Sequence, residues 1–139
     1  MIGALLFKLM AGSAIEALNR RDMNKIVSSF KDDAVFIYPG TLSVSGRHEG
    51  KKAIEEFFSK FFEQFTEIHF KTRSVYVKNI FGLGLSNTIA LEWENRLTNR
   101  KGETYENCGV GTDKVSWGKV VFHHEYYFDT DTMRKAWGE

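Results

Sequence analysis

At 139 residues, with 42% hydrophobic and 14% aromatic residues and a formal charge of +1, the chain has the length of one domain and enough apolar surface for a core. That composition excludes intrinsic disorder, and the lack of a basic run argues against a nucleic-acid partner, which needs clustered cations. A lone cysteine, Cys108, cannot form an intrachain disulfide and fits a reducing, cytoplasmic compartment.

The apolar start, MIGALLFKLM, lacks the basic front and small-residue cleavage site of a signal peptide, and Lys8 interrupts it. No stretch reaches membrane-spanning length, so no membrane partner is expected. Residues 3–20 instead read as a helix, with Leu6, Met10, Ala14, Ala17 and Leu18 on one stripe. Asp22 is a plausible N-cap for a short helix over 23–30, with Ile26, Val27 and Phe30 inward. A β-branched and aromatic run, 34–38, predicts a strand that Pro39 and Gly40 end, followed by a polar loop to Gly50. The third helix, 51–64, carries Ile54, Phe57, Phe58, Phe61 and Phe62 on a wide stripe that reads as core.

From Thr66 the period changes to two. Strands are expected over 67–78, 86–98, 103–115 and 119–128, with breaks at 79–84, 99–102 and 116–118, and a short polar tail after Asp129. Helices first and a strand meander last make an α+β domain spanning 1–139, a curved antiparallel sheet wrapped around three N-terminal helices.

Alternation assigns faces. Ile89, Leu91, Trp93, Asn95 and Leu97 should share the inner side of their strand. In the last strand Val120, Phe122, His124, Tyr126 and Phe128 form the expected inner set, and Val121, His123, Glu125 and Tyr127 the outer. A tight turn at Trp117-Gly118 sets Asp113 opposite Phe122, Gly111 opposite His124 and Gly109 opposite Tyr126. Two glycines thus leave room beside two polar side chains. Asn95 opposite Asn107 would add two amides on the same side.

The segments AIEALNRRDMNKIVSSFKDDAVFIYPG, GRHEGKKAIEEFF and WGKVVFHHEYYFD, in this order, resemble the nuclear transport factor 2-like superfamily, and more closely its SnoaL-like branch. The resemblance implies a cone-shaped α+β barrel with a pocket between helices and sheet. It also implies a homodimer through the outer sheet face. Ketosteroid isomerase, one member, keeps its catalytic groups where this chain has Ala14, Tyr38 and Gly111; limonene epoxide hydrolase keeps its own where this chain has Trp93, Asn95 and Tyr126. Neither set supplies the required carboxylates, so neither chemistry is expected. SnoaL-type cyclases pair an aspartate with a histidine to move protons beside a carbonyl.

The residues themselves nominate His124 as a general base oriented by Asp113, with Tyr126 or Tyr38 donating to an oxyanion. The alternatives are a core histidine bonded to a carbonyl, a carboxylate reaching water and tyrosines acting as pocket wall. Trp93, Phe58 and Phe122 would wall an apolar ligand site, and Asn95 and Asn107 would fix a polar group of the ligand. No metal-ligand spacing is present, because His123 and His124 point to opposite faces and His48 and His69 add none. The sequence thus leads to a cofactor-independent lyase or isomerase for a small apolar organic molecule, or a non-catalytic binding or dimerisation module of the same fold.

Overall fold

The computed structural model describes residues 2–81 and 85–139, so the turn expected over 79–84 lies partly outside them. The elements run α1 (Ile2–Asn19), α2 (Met23–Ser28), β1 (Phe30–Tyr38), β2 (Gly46–Glu49), α3 (Gly50–Gln64), β3 (Phe65–Val77), β4 (Ser86–Asn99), β5 (Thr104–Ser116), β6 (Lys119–Tyr127) and α4 (Thr130–Trp137). The six strands form one open sheet in the order β2-β1-β6-β5-β4-β3. This is the expected α+β architecture with one refinement: β1 lies parallel to β6, so the sheet is mixed.

Local chemistry sets the corners. Arg21 takes a positive φ of 58° between α1 and α2. Its guanidinium donates to the carbonyls of Phe62 and Phe65 and lies 5.1 Å from the Phe62 ring centroid, which pins that corner to the end of α3. The Asp22 carboxylate accepts from Lys25 N at 3.1 Å, the N-cap expected for α2.

Helix α2 ends at Ser28 and β1 begins at Phe30, within the span read as helix, and two further elements depart from the sequence reading. Residues 46–49, read as loop, pair with β1 as β2. The polar tail is helix α4: the Asp129 carboxylate caps Thr132 N at 2.9 Å, and Gly138 closes the helix in the left-handed region with φ 79°. Met133, Ala136 and Trp137 recur at helical spacing and are buried. Gln64 Nε2 donates to Ala136 O at 3.0 Å, tying α4 to α3.

The core is largely aromatic. Phe57, Phe61 and Phe65 surround Trp137, and Phe36 and Tyr38 continue the cluster along β1. The α3 stripe is therefore core, as its spacing predicts. Along β4, Ile89, Leu91, Trp93, Asn95 and Leu97 are all buried, so that face assignment holds, and Asn95 does pair with Asn107.

The last strand does not follow the expected register. Val115 pairs with Val120 as expected, but Lys114 pairs with Phe122, so β6 carries one extra residue at a β-bulge. Beyond it Asp113 faces His123, Gly111 faces Glu125 and Gly109 faces Tyr127. The β1–β6 ladder shifts over the same stretch, between Phe30–Val120 and Val35–Phe122. A slip of one residue exchanges the two faces of a strand.

Trp137 joins four core rings and donates through Nε1 to the Tyr38 hydroxyl at 3.0 Å. Trp137→Ala should lower the free energy of unfolding by about 3–5 kcal/mol in urea titration. A loss below about 1 kcal/mol would mean that α4 is not part of the cooperative core.

Candidate functional site

A cavity of about 510 Å³ lies between the helices and the inner face of the sheet. Phe36, Phe57, Phe58, Phe61, Phe70 and Trp93 form much of its wall. Its exposed lining residues, Leu9, Ala14, Lys25, Ser28, Gly118 and Lys119, mark the mouth.

Polar groups enter this apolar space along one line. Asp113 from β5 and His123, Glu125 and Tyr127 from β6 all line the cavity. His123 Nδ1 lies 2.6 Å from Asp113 Oδ1, and His123 Nε2 lies 2.8 Å from Glu125 Oε2. The second oxygen of Glu125, Oε1, accepts from Trp93 Nε1 at 2.7 Å. Phe36 stacks on the imidazole with ring centroids 4.9 Å apart and planes within 6°. The three side chains are 15%, 18% and 16% exposed for His123, Asp113 and Glu125. This is an ion array held between core and cavity, not a surface salt bridge.

Burial by itself would lower the pKa of His123. The charge and hydrogen bond of Asp113, followed by those of Glu125, overcome that effect and raise it to about 10. The ring is therefore an imidazolium at neutral pH, with both N–H groups already given to carboxylates. Asp113 Oδ2, by contrast, has no hydrogen-bond partner among the described residues. It is the one oxygen of this array left for a ligand.

Glycines make the room. A Cβ on Gly111 would lie 2.9 Å from His123 Cε1 and 3.4 Å from both Glu125 oxygens. One on Gly109 would lie 2.0 Å from the Tyr126 carbonyl and 2.6 Å from the Trp93 ring. Only glycine lets the array and Trp93 approach β5 so closely.

Deeper along the same face runs a second set of hydrogen bonds. Trp137 Nε1 donates to the Tyr38 hydroxyl, and the Tyr38 hydroxyl donates to that of Tyr127 at 3.2 Å. Burial first of all raises both phenol pKa values, so both stay neutral donors at physiological pH.

The expected site residues divide accordingly. Asp113, Tyr38, Trp93 and Phe58 line the cavity. His124, Tyr126 and Phe122 do not, because the bulge turns them to the outer face. There the Tyr126 hydroxyl sits 2.9 Å from His124 Nδ1, and Lys114 lies over the Phe122 ring. Asn95 and Asn107 border a separate small cavity. The pairing of Asp113 with His124 is thus replaced by Asp113 with His123, and Glu125 and Tyr127, expected outside, stand inside. The sequence signal was the run of acid-compatible partners His123 and Glu125 opposite Asp113 and Gly111, but either face of β6 satisfied it until the bulge was known. Among the described residues, no group of three His, Cys, Asp or Glu side chains could hold a metal ion. Nor is any helix long and apolar enough to cross a membrane.

The raised pKa of His123 has a definite sign in stability. A group whose pKa rises on folding stabilises the fold fully below its unfolded value, near 6.5, and loses that contribution as pH climbs through about 10. The stability gap between wild type and His123→Gln should therefore be widest near pH 6, at up to about 5 kcal/mol. It should shrink steadily towards pH 10 in denaturant titrations. A gap that does not vary with pH would show that His123 is not held as a cation.

Comparison with known proteins places this chain in a family. A search of curated proteins finds no match. The SnoaL-like domain model matches residues 12–123. Among solved structures, an NTF2-like protein of unknown function from Burkholderia pseudomallei is similar at 17% identity and TM-score 0.80, over 95% of this chain and 97% of that one. TerC, co-crystallised with polyporic acid, is similar at 18% identity and TM-score 0.75, over 99% and 98%. A Bacillus subtilis protein provisionally named an isomerase is similar at 21% identity and TM-score 0.74, over 93% and 90%. At these identities the structural likeness concerns the fold, whereas the domain model covers most of the sequence: the chain belongs to the SnoaL-like domain family.

Proposed function

We propose that this protein moves a proton on the carbon beside a carbonyl of a small, largely apolar organic molecule, as a lyase or isomerase that uses its own side chains. The observation that carries this reading is the Asp113–His123–Glu125 array on the wall of an aromatic cavity. Asp113, rather than a histidine, is the base, because His123 is already protonated and Asp113 keeps an uncommitted oxygen. Asp113 stands on the wall of the aromatic cavity, and a carboxylate held in place beside a bound substrate can take a proton from it as a general base. The C–H electron pair moves towards the carbonyl oxygen, and the proton passes to Asp113 Oδ2. The neighbouring imidazolium offsets the charge that develops on the substrate. Return of the proton to another carbon completes an isomerisation; loss of a leaving group completes a lyase reaction. Glu125 and Trp93 hold His123 in place, and Tyr127, deeper in the cavity, anchors a second oxygen of the substrate.

One feature favours a non-catalytic binding module instead: every atom of the array except Asp113 Oδ2 is already satisfied internally. Exchange of carbon-bound hydrogen separates the two readings. Wild-type protein in D₂O should accelerate deuterium incorporation beside the carbonyl of 2-tetralone, followed by NMR. Asp113→Asn should lose about 10²–10⁴-fold of that rate while keeping its circular dichroism spectrum. A wild-type rate no higher than that of Asp113→Asn, with 2-tetralone still raising the melting temperature, would establish the binding module.

We also propose that the outer sheet face pairs two copies of the chain. Tyr126 and Phe128 are 47% and 85% exposed there, beside the ion-paired Lys71, Arg73 and Glu94. Sedimentation equilibrium should give the mass of a dimer that Phe128→Asp weakens; a single-chain mass for wild type would overturn this pairing.

A further inference from the structure

Tyr38 and Tyr127, which line the large cavity, also line a second one of about 10 Å³. That is room to seat one water molecule. Asn95, Asn107, Tyr38, Tyr105 and Tyr127 border it, with Trp137 of α4. Asn95 is 6% exposed, and neither its Oδ1 nor its Nδ2 makes a hydrogen bond of ordinary length and angle among the described residues, although its amide lies near enough to the Tyr127 hydroxyl to pull that phenol's pKa down against the larger upward effect of burial. A buried amide with both ends unpaired costs about 1–3 kcal/mol for each missing bond, so the site itself calls for a polar occupant. Its neighbour Asn107 is already committed, donating to Asp129 O at 2.7 Å and accepting from Cys108 N and Asp129 N.

We propose that this cavity holds one structural water, bonded to the Asn95 amide and to the Tyr127 oxygen, and that Asn95 is thereby a positioning residue for the large cavity. A phenol oxygen accepts at most two hydrogen bonds and donates one. The Tyr38 hydroxyl takes one acceptor position of Tyr127, and the water takes the other. The Tyr127 O–H is then left to point away from both, into the large cavity, as a donor for a ligand oxygen. The α4 helix, through Trp137 and Tyr38, and the β4 strand, through Asn95, so set the direction of a single proton.

The water does not depend on the proposed reaction; the role of the Tyr127 donor rests on that reading of the large cavity. The test has two independent parts. A crystal structure of the wild type near 1.5 Å resolution should show a solvent peak at about 2.6–3.2 Å from both the Asn95 amide and the Tyr127 oxygen. The matched probes 2-naphthol and naphthalene then report on the donor, since they differ only in a hydroxyl. Asn95→Leu should expel the water and weaken 2-naphthol binding about tenfold, the value of one hydrogen bond, while naphthalene binds as before. An empty cavity in wild-type crystals, or equal weakening of both probes in Asn95→Leu, overturns the proposal. A wild-type crystal with the water, but with neither probe bound in solution, upholds the water and overturns the reading of the large cavity.

Discussion

A single inserted residue in β6 decides what this cavity contains. Where Lys114 pairs with Phe122 after Val115 has paired with Val120, the strand turns over, and His123, Glu125 and Tyr127 come to face the helices. Without that bulge the cavity would present His124 and Tyr126, and Asp113 would lie opposite Phe122 rather than opposite a histidine. With it, the carboxylate that β5 sends inward meets an imidazole at 2.6 Å. The bulge therefore sets this acid directly against an imidazole that a second carboxylate also holds.

The array is expensive to bury and for that reason informative. Removing a charge from water costs several kcal/mol, and a pair recovers that only with good geometry and no orphaned hydrogen-bonding groups. Here both imidazole nitrogens and both Glu125 oxygens are used, and Phe36 covers the ring. Packing alone would be served as well by apolar residues of the same volume. What the ions add is a carboxylate oxygen at Asp113 that is fixed in direction and open to an aromatic cavity. Gly109 and Gly111 supply the space, since any side chain there would strike Trp93 or His123.

The C-terminal helix links stability to the site. Trp137 fills the end of the core that α3 builds, and its indole N–H starts the hydrogen bonds that pass through Tyr38 to Tyr127. Polar groups in series polarise one another, so these bonds reinforce each other. The same residues thus fill the core and place two phenols on the cavity wall.

Element order, the aromatic stripe of α3, the inner face of β4 and the family are legible from the amino-acid sequence, because each rests on short-range periodicity or on turn residues a few positions apart. Helix α4 was equally legible in principle, through the Asp129 cap, the Met133–Trp137 spacing and Gly138, but its polar outer face masked it. The candidate site was only half legible. Asp113, Tyr38, Trp93 and Phe58 do line the cavity, since their strands and helix keep unbroken periods. His123, Glu125 and Tyr127 were not expected there, because period-two reasoning carries a face assignment along a strand only while the register is unbroken. The run VVFHHEYYF alternates equally well in either phase. Its phase is chosen by ladders to β1 and β5, partners distant in sequence, and so only the tertiary structure could decide which histidine enters the cavity.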